Sequence, residues 1–274
     1  MSINIVNNGQ LDWFEAHIEN RKSRISYTQT KFNRLNSIID GLYPERLIVV
    51  AARPGKGKTT FTQNLVHDLV RKGRVLVFST ETSQEVYYEK LLCIEGSIVH
   101  KFVRTDIMSV MVPLDEAKNS FSNGNLFILD RPSPSLDLVK RTVDIVQPDF
   151  VVFDYFQNIS KEGLPGYNQA GQMEHAIQEF ANIARSRKLS FIATSQIRRF
   201  SDGRKDNDRP MMSDLKETGK LEEAAWTVIL MWPEIIENVR TQYINVVVEK
   251  NRDGEIGEFR LEGKWGTGEL FDAN

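Results

Sequence analysis

Cysteine is nearly absent from the 274-residue chain: Cys93 stands alone, so no internal disulfide can form, which fits a reducing cytoplasm. Its surroundings suggest a small apolar residue on a buried helix face. Histidine is scarce too. His17, His67, His100 and His175 are scattered without metal-ligand spacing, and they read as ordinary surface or core residues. No apolar run approaches the roughly 18 residues of a membrane span. The longest are LIVVAA at 47–52 and WTVILMW at 226–232. The amino terminus, MSINIVNNGQ, lacks a charged stretch followed by an apolar one, so no secretory signal is read there. Charge of one sign is also missing. The net charge is -2, which excludes a chain that binds polyanions over its whole surface and confines any such site to a local basic patch. No internal repeat or low-complexity tract is present.

What remains is an ordinary soluble balance, 41% hydrophobic and 26% charged, enough for a sizeable core. Residues 1–31 read as an arm. Leu11, Phe14 and Ile18 fall near helical spacing within 10–21, and residues 20–39 contain no acid. From residue 32 to 274 we expect one domain. LIVVAA at 47–52 is continuously apolar, as a strand buried on both faces must be. A helix follows from about Thr59 and ends at Lys72-Gly73. VLVFS at 75–79 is a second strand, and TSQE at 82–85 has the spacing of a capping box opening a helix that carries Tyr88, Leu91 and Leu92. Strands at 126–129, 150–154 and 190–194 alternate with helices ending before Pro148 and spanning 171–187. Such alternation implies right-handed crossovers and a mostly parallel twisted sheet covered on both faces, an α/β fold. After residue 225 the pattern changes to strands at 227–232, 243–250 and 255–262, the last two joined by a turn containing Asp253-Gly254. These should form antiparallel strands at the C-terminal edge.

The chemistry is concentrated in ARPGKGKT at 52–59, followed by Thr60. It follows a buried strand and opens a helix, the placement a phosphate-binding P-loop requires. Ala52, Arg53, Pro54, Gly55, Lys56 and Gly57 would wrap backbone N–H groups around phosphates, and the helix N-terminus adds partial positive charge. Lys58 would reach the β- and γ-phosphates of ATP, and the Thr59 hydroxyl would hold Mg²⁺. Ala52 stands where the general pattern has its first glycine. Asp154, ending FVVFD, is the candidate second magnesium ligand. Glu81 lies at the carboxyl edge of the sheet, placed to activate water, although an acid there also suits the start of a helix. Gln196, after SFIATS, could touch the γ-phosphate.

Together these landmarks resemble the motor domain of DnaB-type replicative helicases, within the RecA-like P-loop NTPases. The resemblance runs from about Phe32 to the end. It rests on GLYPERLIVVAARPGKGKTTF at 41–61, FDYFQ at 153–157, TSQIRR at 194–199, SDLKETG at 213–219 and EKNRDG at 249–254. Alanine at position 52 is typical of that family. The resemblance implies an ATP-dependent ring, usually hexameric, translocating on single-stranded DNA during replication. It implies that Glu81 polarises water and that Gln196 senses the γ-phosphate. Lys250 and Arg252 would cross the subunit boundary into a neighbour's ATP site, although by themselves they read as solvated hairpin charge. Arg198, Arg199, Lys216, Glu217 and Gly219 would lie in or beside loops touching DNA. The segment 198–209, with five cations and three acids, reads equally as a solvated loop. Family members usually carry a sizeable N-terminal domain contacting primase or a loader, and a linker helix that packs on the adjacent subunit, a part residues 10–21 could play. The layout also suggests that loss of the γ-phosphate shifts Gln196 and moves the adjoining loop. Full ATP-driven unwinding by a Gln196→Ala variant would count against that.

Three other readings compete. A RecA-like ATPase of another kind would lack strand displacement. A nucleotide-dependent binding module accessory to replication or recombination would turn over little ATP without its partner. A small-molecule P-loop kinase needs an arginine-rich lid, and none is evident.

Overall fold

The structure, a computed structural model, describes residues 27–166, 168–198, 204, 208–215, 218–237 and 239–273. Among the described residues nine strands form one sheet: β1 (Arg46–Ala52), β2 (Val75–Ser79), β3 (Leu126–Asp130), β4 (Phe150–Asp154), β5 (Ser190–Gln196), β6 (Thr227–Ile236), β7 (Val239–Asn251), β8 (Gly257–Lys264) and β9 (Glu269–Asp272). Their order is β3-β2-β4-β5-β1-β6-β7-β8-β9. Pairing is parallel from β3 through β6 and antiparallel from β6 to β9. β6 therefore belongs to the parallel sheet as well as starting the antiparallel edge.

Strand alternation divides the core. Ile48, Val50 and Ala52 face one side of β1 and Leu47, Val49 and Ala51 the other, and β2 and β4 divide in the same way. Against the first face pack α1 (Asn33–Ile39), α2 (Lys58–Leu69) and α3 (Gln84–Glu95), through residues such as Leu35, Phe61, Leu65 and Leu91. Beyond α3 lie α4 (His100–Thr105) and α5 (Ile107–Ser120). Against the second face pack α6 (Leu136–Val146), α7 (Gln169–Arg187) and α8 (Thr218–Ala224). This is the doubly wound α/β arrangement expected, with the antiparallel strands at the C-terminal edge.

The second face is centred on Phe180, whose ring lies 4.9 Å from Phe153, 5.6 Å from Phe156 and 4.5 Å from Phe191. Truncating a buried aromatic loses transfer free energy and leaves a void. Phe180→Ala should therefore cost about 3–5 kcal/mol, read as a lower denaturant midpoint at unchanged m-value. Cys93 is buried and free as expected, and burial, then Glu89, pushes its thiol up to about 11.

Some local expectations need correction. The cap of α3 is Ser83, whose hydroxyl accepts from the Val86 amide, so the helix starts one residue after the TSQE spacing implied. The fully buried tyrosine of that helix is accordingly Tyr87, while Tyr88 is only partly covered. The hairpin expected at Asp253-Gly254 does form between β7 and β8, but without a left-handed glycine at 254. Asn251 closes it instead, donating to the Glu255 and Ile38 carbonyls, and Asp253 ties it to Arg46 and to the Trp226 indole. The amphipathic helix expected at 10–21 lies outside the described residues. Residues 27–31 lie on the domain: Thr28 bridges to Leu42, and the Lys31 ammonium donates to Asn64 at 3.0 Å. Among the described residues no helix is long and apolar enough to cross a membrane.

Candidate active site

β1 lies at the centre of the sheet, and its carboxyl end runs straight into the loop 53–57. That loop turns back through Gly55 and Gly57, at φ +69° and +100°. These are left-handed angles that side chains disfavour, and a Cβ on Gly57 would also stand 3.0 Å from Ile244. Gly57 is the N-cap of α2 and supplies no side-chain cap, so the first amides of the helix are left for another acceptor. The Lys58 ammonium donates to the Ala52 carbonyl at 3.1 Å. Burial lowers the Lys58 pKa, while the nearby charges of Asp154 and Glu81 act to raise it. The Thr62 hydroxyl, donating to the carbonyls of Lys58 and Thr59, braces the first helical turn.

Three strands away, Thr80 fixes Glu81. Its backbone amide and hydroxyl both donate to the Asp154 carbonyl, at 2.8 and 2.9 Å. The same hydroxyl accepts from the Tyr155 amide and the Asn158 side chain. This clamp joins the ends of β2 and β4 and brings Glu81 beside Asp154. Asp154 is 9% exposed, and one of its oxygens accepts from the Thr194 hydroxyl at 2.5 Å. Thr80→Val removes that hydroxyl from a buried site at nearly constant volume and should cost about 1–3 kcal/mol. Turnover should fall with it while ATP affinity is largely kept, as equilibrium binding and steady-state assays would register.

A cleft of about 350 Å³ gathers Pro54, Gly55, Gly57, Lys58, Thr59, Thr60, Glu81, Asp154 and Gln196. Most sequence-nominated ATP-site residues thus meet around one volume. Ala52 lies beneath it. Lys56 is not on its wall, and the Arg53 guanidinium points elsewhere, donating to the Arg198 carbonyl at 3.2 Å. Lys250 and Arg252 also stand apart from the cleft. Lys250 donates to the Ala225 carbonyl at 2.7 Å and to that of Glu222, and Arg252 to that of Glu223, placing both cations at the C-terminal end of α8. Like-charge proximity to Arg252 adds to burial in lowering the Lys250 pKa. Arg198 and Gly219 are exposed, whereas Arg199, Lys216 and Glu217 lie outside the described residues.

Sequence reasoning missed Arg240 and Trp265, which also line the cleft. The guanidinium lies over the indole, 4.2 Å from its centroid, as a cation–π pair on the cleft wall. Both come from the antiparallel strands and their turns, which read as a plain sheet edge, so nothing local marked them. It also missed Thr80, Thr194 and Gln157, whose contacts join positions far apart in sequence.

A magnesium ion fits the donors here. A threonine hydroxyl and a carboxylate are hard oxygen ligands, and this ion keeps several waters and takes its remaining ligands from phosphates. Among the described residues no group of three or more His, Cys, Asp or Glu side chains makes a metal cage.

A parallel sheet whose central strand feeds a glycine-bent loop and helix, with acids at the ends of two neighbouring strands, defines a P-loop nucleotide-binding domain of RecA-like fold. The family model described as "DnaB-like helicase C terminal domain" matches residues 28–267. The chain belongs to that family. It is 30% identical over 255 residues to the replicative DNA helicase DnaC of Bacillus subtilis (strain 168) and 29% identical over 255 to the replicative DNA helicase DnaB of Geobacillus stearothermophilus. Each match takes in 89% of this chain and 56% of the relative, so the chain spans just over half their length. Among solved structures, one described as an ATPase domain superposes with a TM-score of 0.85 at 23% identity, over 98% of this chain and all of that one. A DnaB-like replicative helicase described with its interactions with primase gives 0.81 at 23%, over all of this chain and 68% of that one.

Proposed function

We propose that the chain is the ATP-hydrolysing motor of a replicative DNA helicase, which assembles with copies of itself into a ring, hexameric as in its family, and translocates on single-stranded DNA. The observation that carries this reading is the continuity of two sites. Gln196 lines the phosphate cleft, and the next two residues are already tied to the loop nominated for DNA: Ile197 bridges to Leu215, and the Arg198 amide donates to the Asp214 carbonyl. In this reading backbone amides of 54–60 cradle the triphosphate and Lys58 leaves the Ala52 carbonyl for the β- and γ-phosphates. Thr59 and Asp154 would hold a Mg²⁺ ion, which would supply neutralising charge to those phosphates. Glu81 orients and deprotonates the attacking water. Arg240 and Trp265 offer a flat cationic and aromatic surface suited to a nucleotide base.

Lys250 and Arg252 serve the ATP site of a neighbouring copy, where a cation stabilises charge on the transferring phosphoryl group. Arg198, Arg199, Lys216, Glu217 and Gly219 form the DNA-facing surface, contacting the backbone rather than reading bases. Residues 1–31 form the arm, whose last five residues rest on the motor, and 32–274 form the motor. The arm serves contact between copies, and the exposed apolar residues of α4 and α5 (Phe102, Ile107, Met108, Met111 and Val112) are the surface suited to such contact. Met108, 76% exposed, can be changed without touching the core. Met108→Asp should leave the thermal midpoint within about 1–2 °C and shift the assembly towards monomer by sedimentation. A partner such as primase or a loader, and action in the cytoplasm, complete the reading.

The test is ATP turnover with and without single-stranded DNA over a range of protein concentrations. Stimulation by DNA and a steep dependence on concentration support a ring motor. DNA-independent turnover that is linear in protein would favour a P-loop ATPase of another kind.

A further inference from the structure

The ladder between β4 and β5 stops at Phe153 opposite Ala193, while β5 continues for three residues, paired with β1 on its other side. Thr194 lies level with Asp154, the last residue of β4, and Ser195 and Gln196 project past it. Side chains of the β4 exit take over this edge of β5. Thr194 donates to the Asp154 carboxylate at 2.5 Å. The amide of Gln157 then spans the next two residues: its Nε2 donates to the Ser195 hydroxyl at 2.9 Å, and its Oε1 accepts from the Gln196 backbone amide at 3.2 Å. The orientation of this amide follows from its partners. A backbone N–H can only donate, so Oε1 must face Gln196, which leaves Nε2 for the hydroxyl.

The base from which Gln157 reaches is itself anchored. It sits in a single helical turn, Phe156–Asn158, with Phe156 and Ile159 buried on either side. Asn158 donates to the Thr80 hydroxyl at 2.9 Å, one residue before Glu81. One short turn thus grips the strand end leading to the water-activating acid and, through Gln157, the strand end bearing the γ-phosphate contact.

We infer that Gln157 is a positioning residue: its side-chain amide replaces the missing strand and sets the register of Gln196 at the cleft. This rests on the ATPase reading above and adds a residue to which neither the family motifs nor the cleft wall assigned a part. Without the bracket the Gln196 amide loses its partner on that edge, and its side chain is no longer held against the terminal phosphate. A direct catalytic role for Gln157 would act independently of Gln196. A positioning role acts only through it.

A double-mutant cycle separates the two, using Gln157→Leu, Gln196→Ala and the double variant in the full chain. It is read on turnover without DNA and on preference for a non-hydrolysable ATP analogue over ADP. Each single change should lower turnover by about tenfold and reduce the preference for the triphosphate, and the double variant should stay within about twofold of the worse single. Multiplying losses, or an unaltered triphosphate preference in Gln157→Leu, would overturn the inference. If Gln157→Leu fails to fold, Ser195→Ala removes one of the two bonds and enters the same cycle, with a smaller but still non-multiplying loss expected. Because the cycle needs no DNA, it decides the role of Gln157 even if the wild-type chain proves insensitive to single strands, a result that would count against the translocating motor alone.

Discussion

Glu81→Gln should hold ATP and fail to hydrolyse it, with turnover lower by about 10²–10⁴-fold, the range of a lost general base. Affinity for ATP should change little. The substitution keeps size and hydrogen bonding, and Glu81 is exposed at the cleft edge, so the fold does not depend on its charge. In the proposed reading binding rests on the loop amides, Lys58 and Thr59. Lys58→Ala should behave differently. It removes the cation proposed to meet the phosphates, so affinity and turnover should fall together. Titrating a fluorescent ATP analogue beside steady-state turnover separates the two patterns. Normal hydrolysis by Glu81→Gln would leave Glu81 as an acid preceding the N-terminus of α3 and assign the water to another group.

Arg252→Ala should be as inactive, for a different reason. In P-loop enzymes an arginine supplied from outside the site contributes about 10³–10⁵ in turnover. Here Arg252 lies outside its own chain's cleft, held near the end of α8 by the Glu223 carbonyl and with its guanidinium 5.3 Å from the Trp226 ring centroid. The turn bearing it is braced by Asp253 against Arg46 and Trp226, and by Asn251 against Ile38. A braced cation is pre-organised, which is how electrostatic stabilisation of a transition state works without reorganisation at the moment of reaction. The variant should still bind ATP and still assemble. Analytical ultracentrifugation and nucleotide titration would establish both, and turnover that survives the change would show that the site is complete within one chain.

The sheet was largely legible because parallel strands buried on both faces leave an unambiguous signal. LIVVAA, VLVFS and FVVFD fall within a residue of β1, β2 and β4. The P-loop was legible because its chemistry depends on residues adjacent in sequence. Other features depended on distance. Gln157 meets Ser195 and Gln196 across nearly forty positions, and Thr80 meets Asp154 across seventy-four. Arg240 and Trp265 reach the cleft from the antiparallel strands and their turns, nearly two hundred positions from the P-loop. The α4 and α5 helices escaped notice because Pro113 interrupts the second and much of their apolar surface faces outward, so neither shows the one-sided stripe of a helix packed on a core. In TSQE, two neighbouring residues could each cap a helix, and the backbone path out of β2 selects Ser83 over Thr82.

The central claim, that each ATP site is shared between two chains, is tested most directly by mixing two inactive variants. A Glu81→Gln chain still carries Arg252, and an Arg252→Ala chain still carries Glu81. If sites form at the boundary between copies, roughly a quarter of the boundaries in an equal mixture pair an intact Glu81 with an intact Arg252. Turnover should then reappear in the mixture, reaching roughly a quarter of the wild-type rate, and fall on dilution as the assembly dissociates. A mixture no more active than its two components, although both assemble and bind ATP, would contradict a shared site.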